Sequence, residues 1–139
     1  LRLRGIGGAV TAIDHIILKV NDLDASVAFY TTILGFTVEG MDGPFTVMRV
    51  NPSFQIQLAP WGTPGAEHYA FAVSRAEFER ISARIRAAGI DHGPTFDAVG
   101  SNTGPGEESG ARGLAPTLYF KDPSQHLLEI RSYSDQSIA

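Results

Sequence analysis

Two stretches decide how this chain reads: Ile13-Asp14-His15-Ile16-Ile17-Leu18-Lys19-Val20-Asn21-Asp22-Leu23 at 13–23, and Glu67-His68-Tyr69-Ala70-Phe71-Ala72-Val73-Ser74 at 67–74. Each is a short apolar run with a histidine near its start and a capping residue at its end. Alternating side chains mark a strand, and Asp or Ser just before a helical stripe marks a helix N-cap. Asp22 opens a helix over 23–34, with Val27, Tyr30 and Leu34 as its stripe and Gly35 closing it. Ser74-Arg75-Ala76-Glu77 is a capping box for a helix reaching residue 88, with Phe78, Ile81, Ile85 and Ala88 as its buried face.

Working outward, 36–39, 45–50 and 54–59 read as short strands separated by Gly, Asp, Pro and Asn turns. The second half follows the same plan, with a strand near Ile90, a strand over 117–121, a turn at Asp122-Pro123-Ser124, and a last strand over 126–132. A unit that recurs in this order points to duplication. The expected fold is therefore α+β, two tandem βαβββ modules at 12–60 and 67–133 forming one domain, with 60–66 as the junction. The polar stretch 97–113 is expected to be a long loop.

Composition limits the functions available. The net charge is −4 with no basic cluster, so nucleic-acid binding through phosphate neutralisation is not expected. No apolar run is long enough for a membrane helix. Cysteine is absent, which removes thiolate metal sites and a cysteine nucleophile. The leading Leu1-Arg2-Leu3-Arg4-Gly5-Ile6-Gly7-Gly8 lacks the pattern of a signal peptide, and a cytoplasmic location is expected.

Strand alternation then sorts the polar residues. Ile16, Leu18 and Val20 face the helices; His15, Ile17 and Lys19 face away. By the same parity His68, Ala70 and Ala72 face away, as do Leu127, Glu129 and Arg131, and Gln55 and Gln57. His15 and His68 hold equivalent places in the repeat, as do Gln57 and Glu129. Two imidazoles and a carboxylate on matched faces suit one first-row divalent cation, with positions left open for substrate oxygens. His126 reads as structural and His92 as exposed.

The run from Asp14 to Leu23, with Phe29-Tyr30, Leu34-Gly35-Phe36, His68-Tyr69-Ala70-Phe71-Ala72-Val73, Tyr119-Phe120-Lys121-Asp122-Pro123 and His126-Leu127-Leu128-Glu129-Ile130, resembles the vicinal oxygen chelate superfamily. That group includes glyoxalases, extradiol dioxygenases, fosfomycin-modifying transferases and bleomycin-resistance proteins. The resemblance implies paired modules whose cupped mixed sheets surround a metal cavity. It implies His15, His68 and Glu129 as ligands of one cation (Fe, Mn, Zn or Ni), with Glu129 and Tyr119 as catalytic residues. Gln57 stands where glyoxalases usually carry a fourth ligand, Glu. Fosfomycin is not the expected substrate, because Ile17 replaces a polar Thr and no basic phosphonate cluster is found. The resemblance implies a glyoxalase-type lyase or isomerase, or an extradiol-type dioxygenase. Its substrate would be a small molecule that chelates the metal through vicinal oxygens. The family also implies a homodimer in which His15 of one chain meets His68 and Glu129 of the other. The competing expectation is a metal-free protein that sequesters a bleomycin-like antibiotic.

Overall fold

A computed structural model describes residues 11–134; the leading segment weighed above as a signal peptide lies outside them. The fold is α+β, as expected. Among the described residues two helices and nine strands form two mixed sheets. The first sheet contains β1 (His15–Lys19), β2 (Thr37–Asp42), β3 (Phe45–Asn51) and β4 (Phe54–Ala59), in the order β1-β4-β3-β2. The second contains β5 (His68–Ala72), β6 (His92–Gly93), β7 (Gly106–Gly110), β8 (Gly113–Lys121) and β9 (Leu127–Arg131), in the order β5-β9-β8-β6, with β7 also on β8. In each sheet the first strand in the chain runs parallel to the last, β1 to β4 and β5 to β9. The other pairings are antiparallel.

The helices begin where the caps dictate. Asp22 Oδ1 accepts from the Ala25 N–H at 3.0 Å and starts α1 (Leu23–Thr32). Ser74 Oγ accepts from the Glu77 N–H at 3.1 Å and starts α2 (Arg75–Ala87). Such caps satisfy donors that the first helical turn leaves free. On α2 the buried face is Phe78, Ile81, Ser82 and Ile85; Ala88 is exposed, because it lies just beyond the last turn. On α1 the buried face is Ser26, Phe29 and Tyr30, a slight rotation that leaves Val27 at the margin.

Both helices and the inner faces of both sheets share one apolar core, from Leu18, Tyr30 and Ile56 in the first half to Phe78, Phe120 and Ile130 in the second. Phe29 packs on Phe120 at 6.2 Å between ring centroids, and Phe36 meets Phe71 edge-on at 5.4 Å. These aromatic pairs tie the halves together through their helical sides.

The turn after β8 fastens the halves a second time. Asp122 is buried and accepts three hydrogen bonds: from Tyr30 Oη at 2.6 Å, and from the Ser124 and His126 N–H groups at 2.9 Å each. His126, fully buried, donates from Nε2 to the Lys19 carbonyl at 2.7 Å and accepts from the Glu67 N–H at Nδ1. It is structural, as its place in the sequence suggested. Gly65 passes so close that a Cβ there would lie 2.5 Å from the Ser124 carbonyl, at a φ of +85 that also favours glycine.

Two expectations are corrected. Residues 97–113 are not one loop: Gly106–Gly110 forms β7, antiparallel to the first half of β8. Its Gly-Glu-Glu-Ser-Gly sequence has little strand preference, and tertiary pairing overrides it. His92 is buried, with Nδ1 on the Ile90 carbonyl at 2.9 Å and its N–H on Asn102 Oδ1 at 3.0 Å.

Asp122→Ala is expected to cost roughly 3 kcal/mol, since it strands the Tyr30 hydroxyl and two buried N–H groups; urea unfolding measures it, and a loss under about 1 kcal/mol would show that the turn is not a fastening point. Burial, then the Asp122 charge, raises the Tyr30 pKa far above the ordinary phenol value. Burial, then Glu67 and Asp122, raises that of Tyr69. A folded pKa above the unfolded one contributes stability that is complete below about pH 10 and is lost as pH rises towards the folded value. Absorbance at 295 nm should therefore report tyrosinate from Tyr30 only together with loss of the circular dichroism signal, and tyrosinate forming at Tyr30 in the folded state would contradict this.

Candidate functional site

The outer face of the second sheet is built by register. Ala70 pairs with Glu129 and Tyr119 pairs with Glu129 from the other side, so all three project alike, with His68 two residues before Ala70 on the same face. Ala70 and Ala72 leave room beside the histidine. His68 Nε2 lies 2.7 Å from Glu129 Oε1, and the His68 side chain is half exposed. The Tyr119 ring lies 6.1 Å from the His68 ring.

Glu129 is only 5% exposed, and a carboxylate so deep needs a counter-charge. Arg131, two residues along the same strand and equally buried, supplies it: Nη1 donates to Glu129 Oε2 at 2.9 Å. The two carboxylate oxygens are thus divided, one to Arg131 and one to His68. Burial is the largest influence on Tyr119, followed by the Glu129 and Glu108 charges, with Arg131 opposing. Together they raise its pKa, so Tyr119 is a neutral phenol able to donate at physiological pH.

His15 lies on the matching outer face of the first sheet. Its Nδ1 donates to Asp14 Oδ2 at 2.7 Å, and Nε2 is the ring nitrogen that this bond does not engage. Gln57 is buried on that face, and its Nε2 donates to Asp42 Oδ2 and Gln55 Oε1 at 3.3 and 3.2 Å. Within one chain, then, the structure brings together His68, Glu129 and Tyr119, but not His15. No group of three or more His, Asp or Glu side chains close enough to hold an ion occurs among the described residues. A groove of about 740 Å³ does open between β1 and β5, lined by Ile16, Phe36, Phe54, Tyr69 and Phe71, but neither His68 nor Glu129 lines it.

Arg131 is the site residue that the sequence left without a role. Strand parity had already put it beside Glu129, but an arginine on an outward face reads as a surface charge. Only burial reveals it as the partner of the carboxylate.

The Glyoxalase/Bleomycin resistance protein/Dioxygenase superfamily model matches residues 12–130, and the chain belongs to that superfamily. It is 26% identical over 133 residues to virulence protein STM3117 of Salmonella typhimurium, a match covering 89% of this chain and 85% of that one. Among solved structures, oxidase ChaP-H1 is 29% identical with a TM-score of 0.74, covering 92% of this chain and all of its own. The fosfomycin resistance protein FosX of Listeria monocytogenes, in complex with Mn(II) and a dihydroxypropylphosphonic acid, shares the fold. It superposes with a TM-score of 0.66 at 22% identity, covering 91% of this chain and 94% of that one. Among the described residues no helix is long and apolar enough to cross a membrane.

Glu129→Ala should destabilise the protein by roughly 3 kcal/mol by leaving Arg131 buried without its counter-ion. His68→Ala, at a half-exposed position, should cost less than about 1 kcal/mol. Urea unfolding of both variants checks the contrast, and equal losses would contradict it.

Proposed function

We propose that this chain is a divalent-metal-dependent enzyme acting on a small molecule that presents two neighbouring oxygens, with His15, His68 and Glu129 as the ligands. The observation that carries the reading is the close approach of the half-exposed His68 Nε2 and the buried Glu129 Oε1 on the outer side of the second sheet. The donor chemistry fits: two imidazoles and one carboxylate suit a first-row cation and leave positions for substrate. Asp14 behind His15 and Arg131 behind Glu129 are the outer partners that such ligands normally have. The family's enzymes, the oxidase name of one relative and the Mn(II) in another support the reading.

In this reading 12–60 and 67–133 are the duplicated modules, and the complete site needs two chains. Both halves spend their helical faces on the shared core, so the outer faces carrying His15 and His68 are left for a partner. The outer face and rim of the first sheet keep Ile17, Met41 and Trp61 exposed, and β2 is exposed along its whole length. Apolar surface of that kind marks an interface. A homodimer sets His15 of one copy against His68 and Glu129 of the other.

The cation, when bound, supplies electrophilic polarisation of the substrate's oxygen pair. The chain's own residues do the rest. Tyr119, a protonated phenol, donates a hydrogen bond to a substrate oxygen as negative charge develops there. In a glyoxalase-type lyase or isomerase reaction, Glu129 Oε1, the oxygen not held by Arg131, would detach from its ligand position and accept a proton from carbon beside a carbonyl. An extradiol-type dioxygenase reaction would leave that proton role unused. The ligand set suits both, and an Fe(II)-specific activity on a catechol would select the second.

Elemental analysis after native purification should find about one divalent ion per chain, and His68→Ala should remove it without unfolding the protein. A metal-free native protein would instead support sequestration of a ligand. The shared site has its own test, in which the His15→Ala and His68→Ala variants are unfolded, mixed and refolded. Half of randomly formed dimers are mixed and each rebuilds one site, so roughly a quarter of the metal capacity should return. No recovery would place each site within one chain.

A further inference from the structure

We propose that Arg131, gripped by the β7–β8 hairpin, is the positioning residue that aims Glu129 at the ion. The inference rests on the metal reading above and extends it to a segment with no role so far. The hairpin backbone is shaped around the guanidinium. Nη2 donates to the Glu108 carbonyl at 2.6 Å and the Gly113 carbonyl at 3.2 Å, and Nη1 to the Ser109 carbonyl at 3.4 Å. A Cβ on Gly110 would lie 2.3 Å from the Arg131 Cζ, so any other residue there would force the guanidinium to shift. On another side stands Tyr133, whose ring centroid is 5.2 Å from the same Cζ. Tyr133 also accepts from the Arg112 N–H at 3.2 Å, which fastens the hairpin tip.

This clasp fixes more than the hairpin. A guanidinium is a planar fork, and one held by three carbonyls has little freedom left to follow its carboxylate partner. Glu129 must therefore come to Arg131, with Oε2 on Nη1, and Oε1 is left pointing at His68. The buried Nε–H has no hydrogen-bond partner. An unmade bond of that kind is costly, so the gain must lie in the contacts made by the other two nitrogens. Glu129 and Arg131 share one face of β9, and Tyr133 follows two residues past the strand's end, so one short segment carries the candidate ligand, its holder and the holder's wall.

Calorimetric titration with Mn(II) tests this on the intact protein and on Arg131→Met, Arg131→Lys and Gly110→Ala. The unaltered protein should bind. Arg131→Met should weaken binding about 10- to 100-fold, the usual effect of losing an outer partner. Lysine should recover only part of it, because it keeps the charge without the fork. Gly110→Ala should weaken binding with every charge retained. Urea unfolding of each variant reports whether it is folded. Unchanged Mn(II) affinity in folded Arg131→Met and Gly110→Ala, alongside binding by the parent, overturns the inference and leaves the metal reading standing. Failure of the parent to bind overturns both. If the variants do not fold, ¹⁵N spectra of the parent decide: the Arg131 Nε–H resonance should shift on saturation with Zn(II), and a resonance that stays in place overturns the inference.

Discussion

A single buried carboxylate, Asp122, holds the two halves of this molecule in register. It joins a helix hydroxyl 92 residues away to the tight turn that leads into β9. With that turn set, His126 reaches the Lys19 carbonyl and Ser124 Oγ accepts from the Asn21 N–H, so the end of β1 is anchored from the second half. Each of these groups is buried or partly so, and each bond made there avoids a large desolvation cost. The position of β9, and so of Glu129 against His68, follows from the turn. The chemistry at the outer face depends on packing at the inner one.

The apolar core imposes the complementary constraint. Both sheets turn their apolar sides to the same interior, so their polar sides are turned away from it. One chain then carries two separate polar clusters on its outer faces. One has an imidazole backed by Asp14; the other has an imidazole, a carboxylate and a phenol. Their separation follows from the way the core is packed.

Much of this was legible in the residues. The repeat, both caps, the α+β class and the face on which His68 and Glu129 meet all follow from periods of two and of 3.6, which local sequence records directly. Glu129 and Arg131 were placed on one face by parity alone. Other features depended on contacts between distant segments. The β7 strand exists because β8 and Arg131 hold it, and its own residues favour a loop. His92 looked exposed beside Asp91 and Gly93, yet the Asn102 side chain and the loop that follows cover it. The separation of His15 from His68 within a chain is set by how the modules pack, which strand parity does not report.

The link between Asp122 and Tyr30 also carries a temporal consequence for biosynthesis. The ribosome releases β1 to β4 and α1 long before residue 122 is translated, so the Tyr30 hydroxyl and the Lys19 carbonyl emerge without the groups that later satisfy them. Until the closing hairpin and last strand arrive, the early half lacks those partners, and Leu18 and Phe29 lack the cover that the later strands give them.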